Sequence, residues 1–77
     1  MISLTPYASR FPVEVEPEEY EHLVRQNQNG WSACNSEKEW LAKLHYLRQG
    51  RKEGKIEEAA FKNRETALIL NWWRKSL

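Results

Sequence analysis

Three side chains in this sequence have the chemistry for nucleophilic catalysis or metal binding: Cys34, His22 and His45. A thiolate beside an imidazole is an activated nucleophile. A Cys with two His also supplies ligands suited to zinc. The spacing serves neither role. His22 lies twelve positions before Cys34 and His45 eleven after it, with no Cys-x-x-Cys or His-x-x-x-His pair. All eleven acids are Glu and none is Asp, which removes Asp-based metal loops, triads and dyads together. The paired glutamates fall at expected helix starts, where capping and the helix dipole account for them. The expectation is a half-buried thiol and two interface histidines, with no catalytic residue, no metal and no cofactor.

Gly50-Arg51-Lys52-Glu53-Gly54-Lys55 is superficially similar to a phosphate-binding loop. That loop needs four residues between its glycines and a Ser or Thr after its Lys. Here three residues separate the glycines and Ile56 follows Lys55. A small bundle is also expected to lack room for a substrate cleft of about 300 Å³ or more. The chain therefore reads as non-enzymatic.

Two features exceed background. The first is charge asymmetry. Residues 1–30 carry two Arg against five Glu, a net −3, while residues 31–77 carry ten bases against six Glu, a net +4. The bases are densest at Arg48, Arg51, Lys52 and Lys55, followed by Lys62 and Arg64. Such a run serves solubility, pairs with the acidic N-terminal part, or faces phosphates. The second feature is Trp72-Trp73. Adjacent helical residues point about 100° apart, so one buried stripe cannot hold both. If Trp72 joins the core, Trp73 lies at the surface or closes over the N-terminal arm near Tyr7 and Phe11. Exposed Trp beside Arg74 and Lys75 has the composition of an interface hot spot, to which Trp31 in an inter-helix loop could add.

Three helices must position these residues. Pro17 is favoured at a first helical position, and Glu18 and Glu19 follow in the first turn. Tyr20, Leu23 and Val24 form one stripe, and Asn29-Gly30 is expected to stop this helix near residue 28. Ser36-Glu37-Lys38-Glu39 is a capping box that opens a second helix over about 36–49. Trp40, Leu41, Leu44 and Leu47 make its buried stripe, Glu39 and Lys43 an i, i+4 pair, and Gly50 its end. A third helix spans about 55–75, with Ile56, Ala60 and Ala67 on one face, Phe61, Leu68 and Trp72 beside them, and Glu58 paired with Lys62. Small Ala60 and Ala67 would allow close helix approach. Residues 48–55 form the basic link, read as a loop with a continuous helix as the other possibility. Residues 1–16 read as an extended arm, because Pro6 and Pro12 deny helix. Val13 and Val15 share a face of a possible short strand near 13–15, for which no convincing pairing strand is evident.

The fold class is thus all-α: a small three-helix bundle over residues 17–77 with an extended N-terminal arm. A chain of 77 residues buries only about 60% of its unfolded surface, so its core is marginal. One Cys cannot form an internal disulfide. Nine aromatic residues are the compensating bulk. No apolar run reaches eighteen residues and no secretory signal is present, so no membrane partner is expected and a cytoplasmic protein is. The chain begins with Met and shows no tag, which fits a complete small gene product, and its compactness is phage-like by analogy with small phage regulators.

Two functions compete. One is a protein-interaction module acting as regulator, adaptor or inhibitor of a larger protein, through Trp73, Arg74, Lys75 and Trp31. Homodimerisation is a variant of it. The other is nucleic-acid (DNA) binding, with Arg48, Arg51, Lys52, Lys55, Lys62 and Arg64 on phosphates and Trp73 stacking on a base. The pI near 7.9 lies below the value above ~9 typical of dedicated nucleic-acid domains.

Overall fold

The computed structural model describes residues 1–7, 12–26 and 30–76, with side chains through Trp73. The chain order is β1 (Ile2–Ser3), a 3-10 turn (Thr5–Tyr7), β2 (Glu14–Val15), α1 (Pro17–Arg25), α2 (Glu37–Lys52) and α3 (Glu58–Ser76). This is a small helical bundle with an N-terminal arm. The arm does find a pairing strand. β1 runs antiparallel to β2, with Ile2 opposite Val15 and Ser3 opposite Glu14. Leu4 N–H donates to Val13 O at 2.6 Å. Two residues of Ile-Ser carry no alternation, so this strand leaves no sequence signal. Val15 and Leu4 are buried, and Val13 is half-buried.

α1 begins as expected, with Pro17 in the first turn and Glu18 and Glu19 behind it. It ends sooner, at Arg25, because Gln26 turns extended (φ −61°, ψ 147°). The predicted stop at Asn29-Gly30 falls partly outside the described residues. Gly30, which is described, does not take a left-handed conformation.

α2 opens on the Ser36 cap, whose Oγ accepts from Glu39 N–H at 3.2 Å. Glu39 reaches back one residue further than a capping box requires and accepts from Asn35 N–H at 2.7 Å. Gly50 does not end this helix. It lies within it and is buried, because a Cβ there would stand 2.5 Å from Ile56 Cδ1. The stop is Gly54, in left-handed conformation (φ 74°). Gly54 N–H donates to Arg51 O at 3.1 Å and Lys55 N–H to Gly50 O at 2.8 Å. That pair of bonds is the Schellman arrangement, with Ile56 packing over the last turn. The basic link is therefore mostly helix: α2 carries Arg48, Arg51 and Lys52, and only residues 53–57 connect to α3.

The core has two connected parts. Leu4, Val15, Leu23, Val24, Leu41 and Ala42 join the arm, α1 and α2. Cys34, Leu44, Leu47, Phe61 and Leu68 join α2 to α3. Trp31, Trp40 and Tyr7 pack against both. Trp40 stacks on Trp72 with centroids 5.7 Å apart and donates from Nε1 to Leu68 O at 3.3 Å. Ala60 and Ala67 are half-buried, and Ile56 precedes α3.

The buried face of α2 includes a charge pair. Glu39 and Lys43 are both 0% exposed, with Nζ 3.2 Å from Glu39 Oε1. Lys43 Nζ also donates to Gln26 O at 3.1 Å and Ala33 O at 3.0 Å. It lies 5.5 Å from the Trp31 ring centroid. This ammonium ties both ends of the α1–α2 connection to the middle helix. An i, i+4 spacing describes a surface pair equally well, so its burial was not readable from sequence.

Candidate partner-binding surfaces

Among the described residues, four of the six bases of the cluster lie beside three glutamates, in pairs open to solvent. Arg48 Nε lies 3.4 Å from Glu65 Oε2, and Arg51 3.3 Å from Glu58 Oε1. Lys55 pairs with Glu53 at 3.1 Å and Lys62 with Glu58 at 3.9 Å. Both arginines also lie on aromatic faces, Arg48 at 5.0 Å from the Tyr7 centroid and Arg51 at 4.9 Å from Phe61. A shallow hollow of about 480 Å³ sits among Arg48, Arg51, Lys52, Phe61 and Glu65. These counter-charges come from α3 and the link. The acidic N-terminal part contributes the exposed Glu19–Lys38 pair at 3.0 Å. Of the six predicted phosphate-facing bases, Lys52 and Arg64 make no ion pair with a described residue.

The glycine-flanked run is no phosphate cradle. The amides of Gly54 and Lys55 are consumed by the end of α2. His22 bonds the Gln26 side chain at 3.1 Å on the surface. His45 stands edge-on between Tyr7 and Tyr20, 5.7 Å from each centroid. Burial lowers its pKa, and its buried Nδ1 has no hydrogen-bond partner among the described residues. Cys34 is buried, with Sγ 3.8 Å from Ser32 O. No three potential ligands from His, Cys and Glu cluster among the described residues.

On α3, Trp72 packs on the second core part while Trp73 is 61% exposed. Ile69 and Leu70, which sequence reasoning passed over, are 43% and 44% exposed. With Thr66, also exposed, they make an i, i+3, i+4, i+7 stripe on the outward face. This is the spacing of a buried helix face, here facing solvent. A helical wheel of α3 carries that signal, since Phe61, Leu68 and Trp72 already supply the inward face. Arg74 and Lys75 continue the helix, but their side chains lie outside the described residues. Trp31 belongs to a different surface.

That surface is a groove of about 740 Å³, larger than a small bundle was expected to hold. Tyr20, Glu21, Val24 and Arg25 of α1 form one wall, and Asn63, Arg64 and Ala67 of α3 the other. Trp31 and Tyr46 lie between, their centroids 6.1 Å apart. Small Ala67 and the short α1 leave this space open. Asn71 Nδ2 donates to Ser32 Oγ at 2.7 Å and fixes the loop carrying Trp31 to α3. Burial, with lesser contributions from Tyr46, Tyr7 and Glu53, pushes the Tyr20 phenol up to about 12. No sequence motif announces the groove, because its residues come from three elements and a loop.

Comparison with protein-family models, with curated proteins and with solved structures finds no match to this chain. No helix among the described residues is long and apolar enough to cross a membrane.

Proposed function

We propose that this chain is a small non-enzymatic interaction module. It regulates, adapts or inhibits a larger protein through the outward face of α3. The observation that carries this reading is the solvent-facing stripe of Thr66, Ile69, Leu70 and Trp73 at helix-interface spacing. A helix that already buries Phe61, Leu68 and Trp72 has no internal use for a second apolar face. Exposed apolar residues grouped this way mark interaction sites more often than stability. The fitting partner offers an apolar groove with an acidic rim. Ile69, Leu70 and Trp73 enter it as helix anchors, and Arg74 and Lys75 meet the rim. The expected setting is cytoplasmic.

The test is paired. Ile69→Ser and Trp73→Ala remove anchors without touching the core, so both variants keep the wild-type helical circular dichroism and melting temperature. Each loses the partner by at least tenfold, as expected of a hot spot worth about 2 kcal/mol. Unchanged partner affinity in both folded variants rejects this face. If sedimentation shows a wild-type homodimer that both variants abolish, the partner is a second copy.

Nucleic-acid binding through residues 48–55 is the second reading, ranked lower on its charge pairing. Four of its six bases have a carboxylate within 4 Å, and such pairing opposes phosphate contact.

A further inference from the structure

The two groove arginines differ from the arginines of α2. Arg48 and Arg51 each have a glutamate and an aromatic ring. Arg25 and Arg64 are exposed, stand on opposite walls, and make no ion pair with a described residue. Between them lie the aromatic rings of Tyr20, Trp31 and Tyr46. Among the described residues the aliphatic lining is Val24, which is buried, and Ala67, which is small. An amphipathic helix seeks aliphatic pockets for Leu and Ile ridges. Aromatic faces with unpaired guanidinium groups suit a ligand that is both flat and anionic.

We infer that this groove binds a segment of single-stranded nucleic acid, with Arg25 and Arg64 on its phosphates and a base against Tyr46 and Trp31. This site is separate from the α3 stripe and does not rest on it. A free nucleotide is the weaker occupant, because its phosphates are characteristically held by a cradle of backbone amides or a helix N-terminus. None of the ten lining residues opens a helix. A strand needs only side-chain cations and ring faces. In a duplex the bases are stacked and paired, so no base face is free to lie on Tyr46.

The test is fluorescence anisotropy of a labelled mixed-sequence single strand at low and near-physiological salt. The same-sequence duplex, a labelled mononucleotide and a labelled acidic peptide serve as comparisons. Wild type is expected to bind the single strand at roughly micromolar or tighter dissociation constant at low salt and more weakly in salt. Arg25→Gln and Arg64→Gln each weaken it several-fold and lower the log–log salt slope by about 0.7. Tyr46→Ala weakens it by about tenfold through lost stacking. Lys52→Gln, the same charge change outside the groove, leaves both readings near wild type, as does Trp73→Ala. The inference is overturned by no binding at low salt, or by duplex, mononucleotide or acidic peptide binding at least as tightly as the single strand. It is equally overturned if Lys52→Gln costs as much as Arg64→Gln. Because Trp73→Ala is in the same series, failure here is distinguishable from failure of the α3 interface.

Discussion

Single residues carry the sharpest consequences, and the buried Lys43 is the first. Removing one member of a fully buried pair leaves the other charge uncompensated, at about 3–5 kcal/mol. Lys43→Met should therefore cost at least about 3 kcal/mol in urea unfolding, a large fraction of the stability of a small domain. Gln26 O and Ala33 O lose a donor in the same step. Replacing both charges, Glu39→Gln with Lys43→Met, should cost less than Lys43→Met alone. Equal losses would mean that the carbonyl contacts dominate. His45 makes stability depend on pH. Burial lowers its pKa below the usual 6.5, so the fold prefers neutral imidazole and the unfolded chain binds the extra proton. Its contribution is complete above about 6.5, falls as pH drops through that value, and levels off below the depressed folded pKa. Unfolding at pH 7.5 and pH 5 should show this loss, and His45→Gln should reduce it. The identity of these residues was plain in the sequence, but their burial was not. An i, i+4 Glu–Lys pair and a lone His look alike on a surface and in a core.

At the scale of elements, the same sequence signals worked where a local interaction decides and failed where a distant residue does. The start of α2 was readable because Ser36 and Glu39 act within one turn. Its end was not, because Gly50 is a glycine for Ile56, six residues on, and not for a turn. Gly54 holds the left-handed stop, where a Cβ costs about 1–2 kcal/mol. Gly54→Ala should lower stability by about 1 kcal/mol in chemical denaturation, and a neutral or stabilising outcome would contradict the assignment of the stop. β1 escaped notice for a related reason. Two residues gain strand geometry only by pairing with β2 and burying Leu4 beside Val15. The arm is consequently part of the first core. Leu4→Ala should cost about 2–5 kcal/mol, as a buried Leu truncation does, whereas an arm merely lying on the surface would lose little.

At the scale of the molecule, charge and apolar area are distributed with a logic that a one-dimensional reading blurs. The excess of base after residue 30 reads as a phosphate-binding run along the chain. In three dimensions four of its six bases lie beside Glu58, Glu65 and Glu53, with Glu58 shared by Arg51 and Lys62. What remains uncompensated among the described residues includes the groove pair Arg25 and Arg64, which lie thirty-nine positions apart in sequence. The Trp72-Trp73 step was legible, since helical geometry forces one ring outward. The companions Ile69 and Leu70 were equally present in sequence, but were masked by the apolar run Ala67-Leu68-Ile69-Leu70 that mixes both faces. α3 thus shows one apolar face to the core and a second to solvent, and the second is the surface assigned to a protein partner. The decisive measurement is a titration of the partner, purified after its co-purification with wild type, against wild type and Trp73→Ala of matched melting temperature. The account predicts that Trp73→Ala binds at least tenfold more weakly, a loss of about 1.4 kcal/mol or more. Affinities equal within error for the two proteins would contradict it.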